Sequence, residues 1–560
     1  MFIMTGTMKK KVLIGVAWPY VNGDLHVGHL AGYLLPADIA ARYHRLIGND
    51  VLMVSGSDCF GTPITLEADK KGVGPAEIVA EYHAKDVELF GDILNLSYDL
   101  YTLTNHENHI KVTQDFFIKM MEEGYIFIDT QKQYYSTSEN KFLPDRYVVG
   151  TCPYCGFNDC RSDQCDTCGK LLGHGELKNP VSNISKEKVG IKDTQHYFVD
   201  WPKMQGVIKS YVDSVSRTWR GWVAQETQGW LKEGLKARAI TRDLDWGVPI
   251  PADRIPAEKL LENHENKRIY VWFDAVIGYF SASVLWASQN NRDWKEFWYG
   301  DNLKHYYFMG KDNLVFHTIF WPGQLMSYDK KLHLPDVPVI NMFLNYEGKQ
   351  FSKSRGWTLP IKDMVEKYGN DAIRFYLTLI MPENRDASFS YADFKEKNNG
   401  ILVANLGNFI HRVLSLAKKN DVVFADTAVS KNTRELIEDA YEKSKVFLDK
   451  FEFRNYLNEI LEVAAYGNSF VDKYKLWDLV KSDEIAFGKL VRELCVVILC
   501  LRDLITPVMP HASEKLSECL GLEPVADWPK HGKEVGSLIF AVDLINLVDD
   551  LKPLFRKIEE

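Results

Sequence analysis

Residues 18–29 read WPYVNGDLHVGH and lie between two segments of different periodicity. The preceding run, KVLIGVA at residues 11–17, is apolar and partly β-branched, which predicts a buried strand. In residues 30–46 apolar side chains recur at helical spacing, which predicts a helix. A strand that turns into a helix through Pro, Asn and Gly forms a mononucleotide-binding corner, because the N–H groups and the dipole of the first helical turn attract an anion.

Three residues of this corner have the chemistry that phosphate binding needs. Gly28 has no Cβ, so a flat base or a ribose can lie directly on the backbone. His26 and His29 are three positions apart, so both rings can face the same phosphate group as donors. Taken alone, the sequence HVGH at residues 26–29 also fits two surface histidines at an ordinary helix start.

A second predicted strand, DVLMVS at residues 50–55, is followed by the loop GSDCFGTP. Asp58 therefore follows the carboxyl end of a strand, which is where parallel α/β sheets bind their ligands. Its carboxylate can hold the ammonium group of a substrate. A turn-capping aspartate is the alternative interpretation.

Length and composition limit the class of protein. A chain of 560 residues should hold several domains, and 46% apolar and 26% charged residues are typical of a globular protein. The net charge of −9 argues against a protein that coats DNA, although residues 395–419 are locally basic. The longest apolar run, residues 494–501, is far shorter than the roughly 20 residues that span a bilayer. With no signal-peptide-like segment either, we expect a cytoplasmic protein without a membrane partner.

The cysteines predict a metal site. Five of the nine lie between residues 152 and 168, a clustering that suits metal binding in a reducing compartment better than disulfides. Two C-x-x-C knuckles separated by nine residues predict one structural, tetrahedral Zn²⁺ with the ligands Cys152, Cys155, Cys165 and Cys168. Cys160 has no partner three residues away, and we expect it to be unliganded.

Beyond the knuckles the α/β pattern returns. IYVWFDAVIGY at residues 269–279 and HYYFMG at residues 305–310 each resemble a buried parallel strand followed by a helix. The nucleotide fold is therefore predicted to be split by an insertion of about a hundred residues that carries the zinc. From residue 393 onward apolar residues recur at three- and four-residue spacing, which predicts a helical bundle.

We therefore predict an α/β fold, with a Rossmann-type parallel-sheet catalytic domain split by a zinc-knuckle insertion and followed by an α-helical bundle. The expected boundaries are 1–120 and 236–340 for the two halves of the catalytic domain, 121–235 for the insertion and 391–560 for the bundle.

A basic loop, GKQFSKSRG, occupies residues 348–356. Lysines on a mobile loop suit transient pairing with a polyphosphate in a transition state. By itself the loop also fits a solvated surface segment. A histidine corner followed some 320 residues later by S-K-S is a much rarer combination.

HVGH at residues 26–29 and FSKS at residues 351–354 resemble the two signatures of class I aminoacyl-tRNA synthetases. Over nearly all its length the chain resembles the methionyl-tRNA synthetase family. Relatives for Leu, Ile and Val carry a far larger insertion, whereas a four-cysteine knuckle in a short insertion is typical of the methionine family. VWFDAVIGY at residues 271–279 and KDNLVFH at residues 311–317 resemble that family's amino-acid pocket. The family resemblance implies that residues 341–390 form a stem-contact region with the signature loop.

The resemblance implies a two-step reaction. Methionine and ATP, which brings Mg²⁺, give methionyl-adenylate and pyrophosphate, and methionine then passes to the terminal ribose of tRNA(Met), including the initiator tRNA. It implies His26, His29 and Lys353 as catalytic residues, and ATP contacts from His26, Gly28, His29, Ser352, Lys353 and Ser354. The family's first signature lysine is replaced here by Gln350, so Lys353 is expected to supply the charge.

The resemblance also implies two recognition surfaces. A thioether is apolar and polarizable, so aromatic walls with one polar contact would select it. The implied methionine-binding residues are Trp18, Tyr20, Asp58, Trp272, Tyr279, Phe316 and His317, although core packing explains some such aromatics equally well. Trp18 departs from relatives, in which a smaller aliphatic residue is frequent. The implied anticodon contacts are Asn408, Arg412 and Trp477.

Two alternatives remain open from the sequence. One is a class I synthetase for another apolar amino acid, and the other is a non-catalytic tRNA-binding protein that retains the fold. No segment resembles the appended tRNA-binding barrel that dimerises some relatives, so we expect a monomer.

Overall fold

The computed structural model describes residues 9–143, 147–162, 165, 167–168, 172, 175–351, 356–420, 422, 428–529 and 534–559. The strands are β1 (Lys11–Val16), β2 (Asp50–Ser57), β3 (Leu100–Leu103), β4 (Ile126–Ser136), β5 (Lys141–Phe142), β6 (Val148–Thr151), β7 (Cys160–Arg161), β8 (Lys178–Ser182), β9 (Gly190–Val199), β10 (Arg238–Ala239), β11 (Thr241–Asp243), β12 (Val248–Pro249), β13 (Lys267–Ile269), β14 (Leu303–Gly310), β15 (Val337–Asn341), β16 (Leu344–Tyr346) and β17 (Ala387–Phe389).

The α-helices are α1 (Val27–His29), α2 (Leu35–Leu46), α3 (Thr62–Lys71), α4 (Pro75–Glu88), α5 (Glu107–Glu122), α6 (Trp201–Val215), α7 (Gly221–Glu233), α8 (Val271–Asp274), α9 (Gly278–Gln289), α10 (Trp321–Tyr328), α11 (Ile361–Tyr368), α12 (Asn370–Leu379), α13 (Tyr391–Lys397), α14 (Asn408–Lys419), α15 (Lys431–Asp449), α16 (Phe453–Tyr474), α17 (Leu476–Ser482), α18 (Glu484–Ile505), α19 (Pro510–Leu520) and α20 (Glu534–Val542). A π-helical turn, Leu30–Leu34, joins α1 to α2, and we call the continuous helix of residues 27–46 the histidine helix.

The centre of the fold is a five-stranded parallel sheet in the order β15-β14-β1-β2-β3. In β1, Lys11 lies opposite Leu303 of β14 on one side and Asp50 of β2 on the other. Every residue of β1 after Lys11 is buried, so both faces of this strand are covered, as in parallel α/β folds. Because β1 and β14 are neighbours although far apart in sequence, the sheet is split as predicted.

The inserted part of the chain forms two smaller sheets. One is four-stranded, in the order β10-β9-β4-β5, and the other is three-stranded, in the order β7-β6-β8. The cysteine knuckles belong to the second, and a small apolar cluster that includes Tyr134, Leu143 and Val148 packs it against the first. The predicted α/β class with an inserted cysteine unit is therefore confirmed.

The prediction for residues 269–279 is wrong. Only Lys267–Ile269 forms a strand, which is short and antiparallel, and helix α8 begins at Val271. Most of the segment is buried, with Tyr270, Trp272 and Ala275 partly exposed, and a nearly continuous apolar run does not distinguish a buried strand from a buried helix.

A helical bundle follows the sheet domain, also as predicted. Helix α18 is its centre and contacts α14, α15, α16, α17, α19 and α20. The apolar run at residues 494–501 lies wholly inside this helix and is fully buried. This apolar run is therefore part of the hydrophobic core of the bundle.

In the described part of the chain, two helical stretches are nevertheless long and apolar enough to cross a bilayer by length and composition, contrary to the expectation from the apolar runs. They are Val271–Gln289 and Tyr391–Lys419, with 72% and 44% of their apolar windows buried inside the protein. Such helices are weak evidence for a membrane span, because core helices pass the same test.

Candidate active site

A cavity of about 360 Å³ opens at the carboxyl ends of the central strands. Most of the predicted small-molecule contacts line it: Trp18, Tyr20, His26, Gly28, His29, Asp58, Trp272, Tyr279 and His317. Phe316 does not line the cavity; its ring stacks on Trp272, with 4.3 Å between centroids. The structure thus brings together residues that lie up to about 300 positions apart in the sequence.

The two histidines cap the start of the histidine helix. His26 Nδ1 accepts the N–H of Gly28 at 3.2 Å, and His29 Nδ1 accepts the N–H of His26 at 3.2 Å. A neutral imidazole whose Nδ1 accepts carries its hydrogen on Nε2, so Nε2 is the donor atom of each ring. The ring centroids are 4.0 Å apart, so the donors are close enough to bind one phosphate chain.

Gly28 has a steric reason to be glycine. A Cβ at this position would lie 2.9 Å from the His26 ring and 3.1 Å from the Phe351 ring. Because both rings lie so close to residue 28, only a glycine leaves the backbone there accessible to a ligand.

Asp58 follows β2 and is only 3% exposed. Burial, followed by the charge of Asp274, raises its pKa well above the usual range of an aspartate. Asp274 is fully buried, and its Oδ2 lies 3.3 Å from Nε2 of His109. In the part of the chain that the structure describes, no lysine or arginine forms an ion pair with Asp58. The site therefore presents the buried carboxyl group of Asp58 to the cavity, with the Asp274 carboxyl group behind it.

One wall of the cavity is aromatic and has a single polar pair. Tyr279 Oη lies 2.7 Å from Nε2 of His317, whose Nδ1 lies 2.9 Å from the carbonyl of Asn313. Because a carbonyl only accepts, His317 donates from Nδ1 and accepts the Tyr279 hydroxyl at Nε2. Burial lowers the pKa of His317 to about 4, so the ring is neutral near pH 7.

Trp18 fits because two glycines face it. A Cβ on Gly56 would lie 2.2 Å from the indole, and one on Gly278 would lie 2.6 Å from it. The larger side chain is thus accommodated between a strand and a helix that both lack side chains at the contact.

Several cavity residues were not identified from the sequence. Gly32 and Tyr33 line it from the histidine helix, and their spacing of three and four residues from His29 would have indicated this. Asp312 and Asn313 also line it and belong to KDNLVFH, where only Phe316 and His317 were assigned. His109 and Asp274 had no sequence signal.

Of the basic loop at residues 348–356, the structure describes residues 348–351 and 356. Ser352, Lys353 and Ser354 lie outside the described residues. Gln350 and Phe351 line the cavity, and the Phe351 ring stacks on His26 with 4.2 Å between centroids. The described part of the loop therefore lies beside the histidines.

The four knuckle cysteines converge. The Sγ atoms of Cys152, Cys155, Cys165 and Cys168 all lie within 4.8 Å of one another. The left-handed backbone of Gly156, with φ of 77°, closes the first knuckle. Four converging sulfur ligands can hold a tetrahedral metal ion. Cys160 is buried nearby, and its thiol donates to the carbonyl of Arg161.

The three predicted anticodon residues lie in the helical bundle. Asn408 is exposed and one turn before Arg412 on α14. The Arg412 guanidinium lies 5.7 Å from the ring centre of Trp477, which is 40% exposed. Arg412 also pairs with Asp472 at 3.3 Å. These side chains offer a cation, an amide and a flat ring on one surface.

Comparisons with known proteins agree with this arrangement. The family model "tRNA synthetases class I (M)" matches residues 12–414, and "Anticodon binding domain of methionyl tRNA ligase" matches residues 423–560. A methionine–tRNA ligase of Roseiflexus sp. (strain RS-1) is 43% identical over 527 residues, covering 92% of this chain and 87% of that protein. One from Thermococcus kodakarensis is 38% identical over 568 residues, covering 98% and 74%.

Among solved structures, Mycobacterium tuberculosis methionyl-tRNA synthetase in complex with methionyl-adenylate superposes with a TM-score of 0.77. Its sequence identity is 22%, and the match covers 98% of this chain and 99% of that one, which supports the same overall fold. The family models and the sequence relatives together show that the chain belongs to the methionyl family of class I tRNA synthetases.

Proposed function

We propose that the protein is a methionine–tRNA ligase that uses the cavity at the carboxyl end of its parallel sheet. The observation that carries the proposal is the convergence of three groups there: buried Asp58, the Tyr279–His317 pair in an aromatic wall, and the two histidine N–H donors. These suit an ammonium, a thioether side chain and a polyphosphate, the three features of methionine with ATP.

The chemistry needs no protein nucleophile. The methionine carboxylate attacks the α-phosphorus of ATP, and pyrophosphate leaves. The 3′-terminal ribose hydroxyl of the tRNA then attacks the activated carbonyl, and AMP leaves. The protein accelerates both steps by positioning the reactants and stabilising charge on the phosphates.

Each phosphate contact has a role in this proposal. His26 and His29 donate their Nε2 hydrogens to the phosphates at the helix start, where the helix dipole adds to the attraction. Mg²⁺ enters with ATP and offsets the charge of the triphosphate. Lys353, with Ser352 and Ser354, is assigned by the signature motif alone, and the position of Phe351 beside His26 supports the assignment.

The methionine contacts are proposed in the same way. Asp58 accepts the α-ammonium, and Tyr20, Trp272 and Tyr279 enclose the side chain. His317 accepts the Tyr279 hydroxyl and so fixes the tyrosine ring on this wall. Trp18 closes the pocket against Gly56 and Gly278, while Phe316 supports Trp272 from behind.

The four knuckle cysteines are proposed to hold one structural Zn²⁺. Tetrahedral sites of four thiolates favour zinc, and the set leaves no open position for a substrate. Reduced thiols in such a site suit the cytoplasm.

The helical domain is proposed to bind the anticodon of tRNA(Met), including that of the initiator tRNA. Asn408 and Arg412 hydrogen-bond splayed bases, and Trp477 provides a stacking surface. The enzyme is proposed to act as a monomer, which light scattering of the purified protein tests.

Amino-acid-dependent ATP–pyrophosphate exchange, run separately with Met, Leu, Ile, Val and Cys, tests the proposal. Exchange with Met alone is the expected result. Exchange with a different amino acid would keep the activation chemistry and reject the pocket assignment. No exchange by zinc-loaded protein would favour a non-catalytic tRNA-binding role.

The anticodon assignment has its own test. Trp477→Ala should lower tRNA charging about tenfold or more, because stacking on one base is lost, and leave the exchange rate unchanged. Phe540→Ala is the matched control, since Phe540 is an exposed aromatic of the same domain. Equal loss of charging and exchange in Trp477→Ala would reject the assignment.

A further inference from the structure

The π turn of the histidine helix leaves one backbone carbonyl without a partner inside the helix. The N–H of Leu35 bonds to the carbonyl of Leu30 in this turn. The next donor in π register for the carbonyl of Ala31 would be residue 36, which is a proline and has no N–H. The Ala31 carbonyl therefore needs a partner from elsewhere.

Asn341 supplies this partner. It is the last residue of β15, it is fully buried, and its Nδ2 donates to the Ala31 carbonyl at 3.0 Å across 310 positions of sequence. Ala31 is only two residues after His29, and Met342, the residue after Asn341, lines the cavity. The amide thus fixes the helix within one turn of His29.

Arg220 in turn fixes Asn341. Its Nη1 donates to Oδ1 of Asn341, to the carbonyl of Ile340 at 2.7 Å and to the carbonyl of Glu383 at 3.0 Å. Its Nη2 donates to the carbonyl of Phe451 at 3.1 Å. The guanidinium therefore connects the end of β15 to the corner between α15 and α16.

That corner is itself closely packed on the sheet. Phe451 has a left-handed backbone, with φ of 57°, which is unfavourable for a phenylalanine. Its ring contacts Tyr306 and Phe308 of β14, with centroid distances of 4.9 and 5.6 Å. Arg220 and these rings hold it in that conformation, so the contacts continue from the helical domain to the histidine helix.

We propose that Asn341, held by Arg220, is a positioning residue for His26 and His29. The proposal rests on the proposed function, because it assumes that these histidines contact the phosphates of ATP. Loss of the amide would free the π turn to shift, and displacements of about 1 Å at reacting groups cost up to about 100-fold in rate. Methionine binding through Asp58 is on a different strand and should be unaffected.

The test is ATP–pyrophosphate exchange by Asn341→Asp at matched folded fraction. Aspartate keeps an oxygen for Arg220 but places an oxygen against the Ala31 carbonyl. We expect kcat to fall about tenfold or more while the KM for methionine stays within about twofold. Arg220→Lys should lower kcat as well, and the double variant should lose less than the product of the two single losses, because both residues act through one contact.

Asn398→Asp is the matched control. Asn398 is also fully buried, and its Nδ2 also donates to a backbone carbonyl, that of Arg556, at 3.0 Å. The same substitution there should destabilise the protein without changing kcat. Asn341→Leu, which removes both hydrogen bonds without introducing a charge, replaces Asn341→Asp if the latter does not fold.

Three results would overturn the proposal. They are an unchanged kcat in folded Asn341→Asp or Asn341→Leu, a matching rise in the KM for methionine, or an equal loss of kcat in Asn398→Asp. If the wild-type protein shows no methionine-dependent exchange, the proposed function fails first. If the wild-type protein catalyses exchange and the Asn341 variant has the same kcat, only the positioning role is rejected and the proposed function stands.

Discussion

Asp58 and Asp274 show how single residues gain their chemistry from burial. A buried carboxylate without a cation beside it is costly, and the group responds by keeping its proton to higher pH. Burial raises the pKa of both, and in Asp58 the charge of Asp274 adds to the effect. An ammonium group that enters the cavity supplies the absent positive charge and favours ionised Asp58.

The pH dependence of methionine binding follows from this shift. Because the pKa of Asp58 is raised, lowering the pH protonates the empty site before an ordinary aspartate would titrate. The KM for methionine should therefore rise as the pH is lowered from above neutral toward the range in which an ordinary aspartate titrates, and should fall again as the pH is raised. Exchange assays at fixed saturating ATP measure this.

Asp58→Asn should raise the KM for methionine about 100-fold and remove its pH dependence, because a buried charge-assisted bond is lost. The hydroxy analogue of methionine, which lacks the ammonium, is the matched control, and its KM should not follow pH in the wild type. A KM for methionine that stays flat over the range would contradict the assignment of Asp58.

At the scale of elements, we expect the cysteine unit to depend on a bound metal ion. The three-stranded sheet β7-β6-β8 has a small apolar cluster, which includes three buried cysteines. Units of this size usually need a metal or a disulfide, and without an ion the thiolates would repel one another. The histidine helix differs, because the large central core and Asn341 hold it.

Removal of zinc should therefore unfold the unit locally. Cys165→Ser should abolish the binding of one zinc per chain and speed hydrogen exchange in residues 148–182, while Cys160→Ser should retain the metal as the matched control. Metal analysis and hydrogen-exchange mass spectrometry measure both. Loss of zinc in Cys160→Ser would show that Cys160 is a ligand.

At the scale of the whole molecule, the far end of the histidine helix is fixed by the helical domain. The N–H of Trp528 donates to the carbonyl of Leu46 at 2.8 Å. Its indole meets Tyr43 of the histidine helix and Tyr441 of α15 edge-on, each with 5.7 Å between centroids. Tyr43 in turn donates to Asp449 at 2.9 Å, so an aromatic contact and these two hydrogen bonds link the histidine helix to the helical domain.

Trp528→Ala should loosen this junction. Truncation of a buried tryptophan costs about 3–5 kcal/mol of unfolding free energy, which urea denaturation measures. Charging of tRNA should fall more than pyrophosphate exchange, because only charging requires the helical domain and the cavity to keep their relative position. Phe540→Ala, at a 65% exposed position, should change stability by no more than about 0.5 kcal/mol. A small loss of unfolding free energy in Trp528→Ala would show that this aromatic contact does not hold the two domains together.

Local patterns in the sequence predicted the parts of this protein that depend on neighbouring residues. The histidine corner, the cysteine knuckles and the strand before Asp58 each lie within a short stretch, where turn chemistry and periodicity fix the backbone. The same reasoning failed at residues 269–279, because a nearly continuous apolar run has no period.

The remaining features join residues that are far apart in the chain. The amide of Asn341 at the Ala31 carbonyl, the contact of Arg220 with Phe451 and the approach of His109 to Asp274 span 310, 231 and 165 positions. Each depends on which strands become neighbours in the sheet and on how the bundle docks against it. These contacts form because folding brings buried polar groups together that must then satisfy one another. Residue identity and local spacing were enough to predict the corner and the knuckles, whereas the aromatic pocket was predicted from the family resemblance.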